Sequence, residues 1–131
     1  MFRFPDLALG DLEREVLDVL WRDGALNPGA VHERVGASRG ISVSTVSSAL
    51  TRLQQKGLLT REKVSHAYVY RPIISRAELQ RNLIREVASH FGEGGGVGFL
   101  AAFVDFAEEG GEDTLRRLEQ LVARRLEGNE P

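Results

Sequence analysis

The stretch from Ser42 to Leu59 constrains the fold most, because it combines two opposite chemistries with the period of an α-helix. Its apolar residues recur at helical spacing and predict one buried face: Val46, Ala49, Leu50 and Leu53. The opposite side of the same helix carries Ser44, Ser48, Thr51 and Gln55. Serine, threonine and valine are poor helix formers. We therefore expect a helix that tertiary packing holds in place and whose outward face has a task of its own.

Two shorter helical patterns precede this segment. The first contains Leu12, Val16, Val19 and Leu20 at helical spacing, and Gly24 ends it. The second begins with Asn27 at the N-cap and Pro28 at the first helical position, and Gly36 closes it. These signals predict three consecutive helices, of which the hydroxyl-rich one is the third.

A strand-like segment follows the third helix. Residues Leu58–Val64 and Ala67–Arg71 are rich in Val, Thr and Tyr, and they flank a short turn at Ser65–His66. Pro72 ends the second run, since proline is not suited to the interior of a sheet. Three helices followed by a two-stranded hairpin predict a winged helix-turn-helix.

The C-terminal half contains further helical patterns. Ser75 and Glu78 form a capping-box signature, and a helix is expected to follow. The glycine-rich stretch 92–98 predicts a linker, residues 99–106 are almost continuously apolar, and a last helix begins near Glu112. The fold class is therefore mainly α with a small β-hairpin. We expect a winged-helix DNA-binding domain at 1–73 and a three-helix dimerisation domain at 74–131.

The distribution of charge indicates the kind of partner better than the net charge of −2 does. Between Arg34 and Arg71 the chain has seven basic residues and one acidic residue, whereas residues 73–131 have seven basic and eleven acidic ones. A basic segment next to an acidic one is typical of separate tasks, and the basic one fits nucleic acid.

The hydroxyl-rich face of the third helix suits a DNA groove. Short hydroxyls allow the backbone to approach closely and can donate to phosphates or base edges. Four basic residues would add affinity for phosphate: Arg52, Lys56, Arg61 and Lys63. His66, at the tip of the hairpin, is either a further DNA contact or a plain turn residue. Two alternatives stay open, namely a merely solvated helix face and a winged helix that binds protein rather than DNA.

Three segments together resemble the BlaI/MecI/CopY family of winged-helix repressors: "LGDLEREVLDVLW" (9–21), "SVSTVSSALTRLQQKGLL" (42–59) and "YVYRP" (68–72). The resemblance extends over about residues 7–126. It implies a repressor that binds a dyad-symmetric operator as a homodimer. It also implies DNA contacts from Ser44, Thr45, Ser47, Ser48 and Arg52.

The C-terminal helices have apolar stripes that a winged helix alone does not cover. Burial against a second copy is the simplest solution, and two-fold symmetry would match a palindromic site. The candidate dimer residues are Leu83, Val87, Phe99, Leu100, Phe103, Phe106, Leu118, Leu121 and Val122. The alternative is that these helices fold back on their own winged helix.

Other functions have little support in the sequence. The chain has no cysteine, which excludes disulfides, thiolate metal sites and the Cys-x-Cys copper sensors of some family members. The three histidines have no metal-ligand spacing, and we expect His32 and His90 at the surface. No catalytic constellation, cofactor motif, signal peptide or membrane span is evident, so we expect a cytoplasmic protein that is not an enzyme.

The signal that releases such a repressor from DNA stays open. Some family members are cut between an Asn and a Phe by a membrane protease, in the helix that corresponds to residues 99–106. Here Ala102 precedes Phe103, so the chain departs from that pattern. An upstream sensor or protease is therefore left as an unidentified partner.

Overall fold

The computed structural model describes residues 9–90 and 96–128. Six helices and one hairpin follow in the order α1 Asp11–Asp23, α2 Pro28–Val35, α3 Val43–Gln55, β1 Leu59–Val64, β2 Ala67–Pro72, α4 Arg76–His90, α5 Val97–Glu109 and α6 Glu112–Leu126. A single 3₁₀ turn, Ala37–Arg39, lies between α2 and α3. The predicted fold class is confirmed. Most of the glycine-rich stretch, residues 92–95, lies outside the described residues.

The first two helices begin and end as their sequences predict. The Asn27 side chain accepts a hydrogen bond from the backbone N–H of Ala30, at 2.8 Å, and Pro28 occupies the first helical position of α2. Gly24 follows α1 with φ at 86°, a left-handed value that suits glycine. Local chemistry therefore determines where these two helices lie along the chain.

The hairpin agrees with the prediction to within one residue in each strand, and it is better anchored than the sequence predicts. β1 and β2 pair antiparallel from Leu59–Pro72 to Val64–Ala67. Leu26, in the α1–α2 loop, exchanges two backbone hydrogen bonds with Tyr70, of 3.0 and 2.8 Å. This isolated β-bridge was not predicted, and it fixes the wing to the helical part of the unit.

The core of the first unit lies where α1, α2, α3 and the hairpin meet. It contains the predicted stripe of α3 together with residues from every neighbouring element: Val16, Leu17, Leu20, Val31, Leu58, Leu59 and Tyr70. Burial of these side chains supplies the main driving force for the fold.

Helix α4 begins with the predicted capping box. The Glu78 N–H donates to Ser75 Oγ at 3.1 Å, and the Ser75 N–H donates to Glu78 Oε1 at 3.3 Å. Leu79 is buried in the core of the first unit and Leu83 packs against it in part. The indole N–H of Trp21 donates to the carbonyl oxygen of Ile74 at 2.8 Å, which ties α1 to the entrance of α4.

The chain divides into two compact units, one up to Val87 and the other from Ala88 onward. Most of α4 therefore belongs structurally with the winged helix, whereas we expected a boundary after residue 73. The expected boundary divides the chain by function, into a DNA-binding part and a dimerisation part. That functional division stays a prediction. In the second unit α5 packs against α6, and Ala107 is the buried apolar residue of α5.

Candidate nucleic-acid interface

Helix α3 has the two-faced burial that its sequence predicts. Val46, Ala49, Leu50 and Leu53 are fully buried. Ser44, Thr45 and Ser48 are exposed, whereas Ser47 and Thr51 are half-buried. The Thr51 hydroxyl donates to the Ser47 carbonyl oxygen at 3.0 Å. Thr51 is therefore not counted among the hydroxyl residues of the outer face. We call Ser44, Thr45, Ser47 and Ser48 the hydroxyl face.

Both ends of α3 are fixed by local hydrogen bonds. Ser42 Oγ accepts from the N–H of Thr45 at 3.1 Å, as the sequence predicts. At the other end the N–H of Gly57 donates to Gln54 and that of Leu58 donates to Leu53. This is the Schellman arrangement, and it requires the positive φ of 82° that Gly57 adopts. These hydrogen bonds therefore fix where α3 begins and where it ends.

The two basic residues near the end of α3 share one acidic partner. Glu13 of α1 is only 8% exposed. Its Oε1 accepts from Arg52 Nε at 3.3 Å, and its Oε2 accepts from Lys56 Nζ at 2.8 Å. The Arg52 side chain stays 49% exposed, whereas that of Lys56 is 23% exposed. Two cations thus cover one carboxylate and leave a net positive charge at this end of α3.

On the wing, Arg61 is fixed by two tyrosines. Its guanidinium lies 4.1 Å from the centre of the Tyr68 ring, and Nη1 donates to the Tyr70 hydroxyl at 3.3 Å. The hydrogen bond to Tyr70 raises the pKa of the Arg61 guanidinium. Lys63 and His66 are exposed, with His66 in the two-residue turn, where Ser65 adopts a φ of 57°. Arg61 is therefore held in place, in contrast to an ordinary surface arginine.

Two functional features were not visible in the sequence. Glu13 occupies an ordinary position in an amphipathic helix, and its pairing with Arg52 and Lys56 depends on long-range packing. The expectation that His32 lies at the surface was wrong. Its ring is half-buried and bonded to the Ile41 carbonyl oxygen, since the turn between α2 and α3 folds over it.

The second unit exposes apolar side chains on both helices. Phe106 is 71% exposed, and Leu100, Leu121 and Val122 are also exposed, whereas Phe99, Phe103 and Leu118 are half-buried. Phe99 and Phe103 contact each other edge to face at 5.2 Å between ring centres. A groove of about 510 Å³ is lined by Val104, Leu115, Leu118 and Val122, with a charged rim from Glu112, Arg116 and Glu119. Of the other predicted dimer residues, Val87 is half-buried, and Leu83 packs partly on the winged-helix core.

The described part of the chain has neither a metal-ligand cluster nor a membrane-spanning helix. Across residues 9–90 and 96–128 no three acidic or histidine side chains are grouped to hold a metal ion. Within the same ranges no helix combines the length and apolarity that a bilayer crossing requires.

Comparison with known proteins identifies the family. The family model described as "Penicillinase repressor" matches residues 9–124. The transcriptional regulator BlaI of Mycobacterium tuberculosis is 35% identical over 127 residues, which cover 94% of this chain and 90% of that protein. The methicillin resistance regulatory protein MecI of Mammaliicoccus sciuri is 20% identical over 117 residues, 89% of this chain and 94% of that one.

A solved structure agrees with these matches. The solution structure of the DNA binding domain of the repressor BlaI superposes with a TM-score of 0.50 at 29% identity, covering 60% of this chain and 93% of that domain. Since the family model spans nearly the whole chain and a 35% identical relative is covered almost end to end, the chain belongs to the penicillinase repressor family.

Proposed function

We propose that this protein is a transcriptional repressor that binds double-stranded DNA through α3 and the wing. One observation carries the proposal: the aliphatic side of α3 is fully buried while Ser44, Thr45 and Ser48 of its hydroxyl face are exposed to solvent. Such a helix can enter a major groove without loss of its own packing. The similarity to the DNA binding domain of the repressor BlaI and to the transcriptional regulator BlaI of Mycobacterium tuberculosis supports the same interpretation.

Each part of the interface has its own role in this proposal. The hydroxyl face meets base edges and nearby phosphates, and Arg52, Arg61 and Lys63 neutralise backbone charge. The tip of the wing, with His66, follows the adjacent backbone or minor groove. Lys56 contributes charge through the Glu13 cluster, because its ammonium is already bonded there.

The protein acts as a homodimer in this proposal. The exposed apolar residues of α5 and α6, among them Phe106 and Leu121, would be buried between two copies. A two-fold dimer presents two α3 helices to two half-sites about one helical turn apart, which favours a dyad-symmetric operator. The signal that releases the protein from DNA, a sensor or a protease, belongs to partners outside this chain.

Selection from a randomised duplex pool tests the function directly. The pool has about 30 variable base pairs, enough for two half-sites one turn apart. We expect enrichment of a dyad-symmetric sequence, which we call the enriched duplex, and weaker binding to a shuffled duplex of equal composition. Equal affinity for both duplexes at moderate salt, or no enrichment, would contradict the proposal.

A further inference from the structure

In the ion-pair cluster between α1 and α3, the acidic residue and one of its basic partners differ in solvent exposure. This difference bears on DNA binding. Glu13 is nearly buried, yet the Arg52 side chain that it holds is half exposed. Among the described residues, the Arg52 guanidinium makes one hydrogen bond, which Nε donates to Glu13. The two Nη groups are therefore left for an acceptor outside the chain.

The position of Arg52 indicates which acceptor this is. In helix-turn-helix proteins the first residues of the recognition helix approach the bases. The hydroxyl face lies in the first half of α3, whereas Arg52 lies near the end of the helix, beside α1. A planar, fixed guanidinium at such a place matches a backbone phosphate, which it can bind with two parallel N–H groups.

We propose that Glu13 is a positioning residue for DNA binding: it holds Arg52 by Nε so that both Nη groups point to one backbone phosphate beside α3. This contact would set the register in which the hydroxyl face meets the bases, since phosphate contacts fix the orientation of a protein on the duplex. Lys56, on the other oxygen of Glu13, keeps the carboxylate from repelling that phosphate. The inference depends on the proposed function, because it names a further residue of the same interface.

The substitution Glu13→Gln tests the proposal by the sign of its effect. It removes one negative charge near the DNA, so charge alone predicts tighter binding. Glutamine cannot hold the guanidinium as a carboxylate does, so the positioning role predicts weaker binding instead. We expect the Kd for the enriched duplex to rise about tenfold, the order of a hydrogen bond to a charged group. The slope of log K against log salt should become less steep by about one.

A matched control and a double-mutant cycle complete the experiment. Glu15→Gln makes the same change two positions along α1, where Glu15 pairs with Arg39 of the 3₁₀ turn, and it should bind as tightly as the wild type or more tightly. In an Arg52→Ala background, Glu13→Gln should no longer weaken binding, because the residue that it positions is absent. Tighter binding of the Glu13→Gln variant, or an equal loss in both backgrounds, would overturn the inference.

A second variant keeps the test decisive if Glu13→Gln unfolds. Arg52→Lys retains the charge at a half-exposed site, but one ammonium cannot pair with Glu13 and grip a phosphate with a planar fork as well. We expect Arg52→Lys to bind clearly more weakly than the wild type although it keeps the charge, and wild-type affinity would overturn the inference. Failure of the proposed function would look different, because the wild-type protein would then bind enriched and shuffled duplexes alike.

Discussion

The imidazole of His32 donates a hydrogen bond from Nε2 to the backbone carbonyl oxygen of Ile41, across 2.6 Å. The bond connects α2 to the residue just before the N-cap of α3, and the Ile41 N–H in turn donates to the Gly36 carbonyl oxygen at 3.0 Å. The turn between the two helices is thus closed by one side chain and one backbone contact. These two contacts therefore fix the turn that leads into α3.

Gly36 permits this turn, and Gly36→Ala should damage it. A Cβ at Gly36 would lie 2.8 Å from the His32 ring and 3.3 Å from both the Ile41 carbonyl oxygen and Val46 Cγ2. The ring cannot move aside without loss of its bond to Ile41. We expect a loss of about 1–3 kcal/mol in the free energy of unfolding, as for overpacked cores, measured by urea denaturation.

Gly29→Ala, in the first turn of α2, is the matched control. A Cβ there would meet only Asn27 Oδ1, at 3.5 Å, an ordinary contact. Since alanine loses less backbone entropy than glycine in a helix, this variant should gain about 0.5–1 kcal/mol. A Gly36→Ala protein as stable as the wild type would mean that the turn has more room than the structure gives it.

The same substitution at a buried and at an exposed valine of α3 should destabilise the protein to different extents. Val46 is fully buried, whereas Val43, in the first turn of α3, is 44% exposed. Val46→Ala removes two buried methyl groups and leaves a cavity, so we expect a loss of about 2 kcal/mol. Val43→Ala should be nearly neutral. Thermal unfolding of both variants checks this, and equal effects would contradict the difference in burial between the two valines.

The sequence predicted features that depend on local chemistry. The cap at Asn27, the capping box at Ser75 and the buried stripe beginning at Val46 are confirmed, because each needs only residues three or four positions apart. Helix period and cap chemistry were therefore enough to place α3 and its open face.

The features that the sequence did not predict depend on distant pairs. Leu26 meets Tyr70, Glu13 meets Arg52, and His32 meets Ile41 only after the helices pack. The helix dipole is enough to explain a carboxylate near the start of a helix. The sequence therefore gave no indication that Glu13 pairs with a residue of α3. The three-dimensional contacts were needed to connect α1 with the candidate interface.

Arg61 on the wing should contribute affinity without sequence preference. It is held over Tyr68 and bonded to Tyr70, at a fixed place in the middle of β1. If it contacts one phosphate, Arg61→Ala will weaken binding to enriched and shuffled duplexes equally and reduce the salt slope by about one. Titrations at several salt concentrations measure both quantities.

The control for Arg61 lies in the second unit. Arg116 is exposed and paired with Glu112 at 2.6 Å within α6, so Arg116→Ala should leave the salt slope unchanged. A loss confined to the enriched duplex for Arg61→Ala would show instead that Arg61 contacts a base.

Phe106 should be one of the residues that hold two copies together. Phe106 is 71% exposed in the isolated chain. Its complete burial by a partner stabilises the dimer by about 1.5–3 kcal/mol. Phe106→Ser should therefore raise the dimer dissociation constant by roughly tenfold or more, measured by sedimentation equilibrium. Ile73→Ser, at a similarly exposed apolar residue after the hairpin, should leave the dimer intact. A wild-type protein that sediments as a monomer at micromolar concentration would contradict the dimer, and with it the expectation of a dyad-symmetric operator.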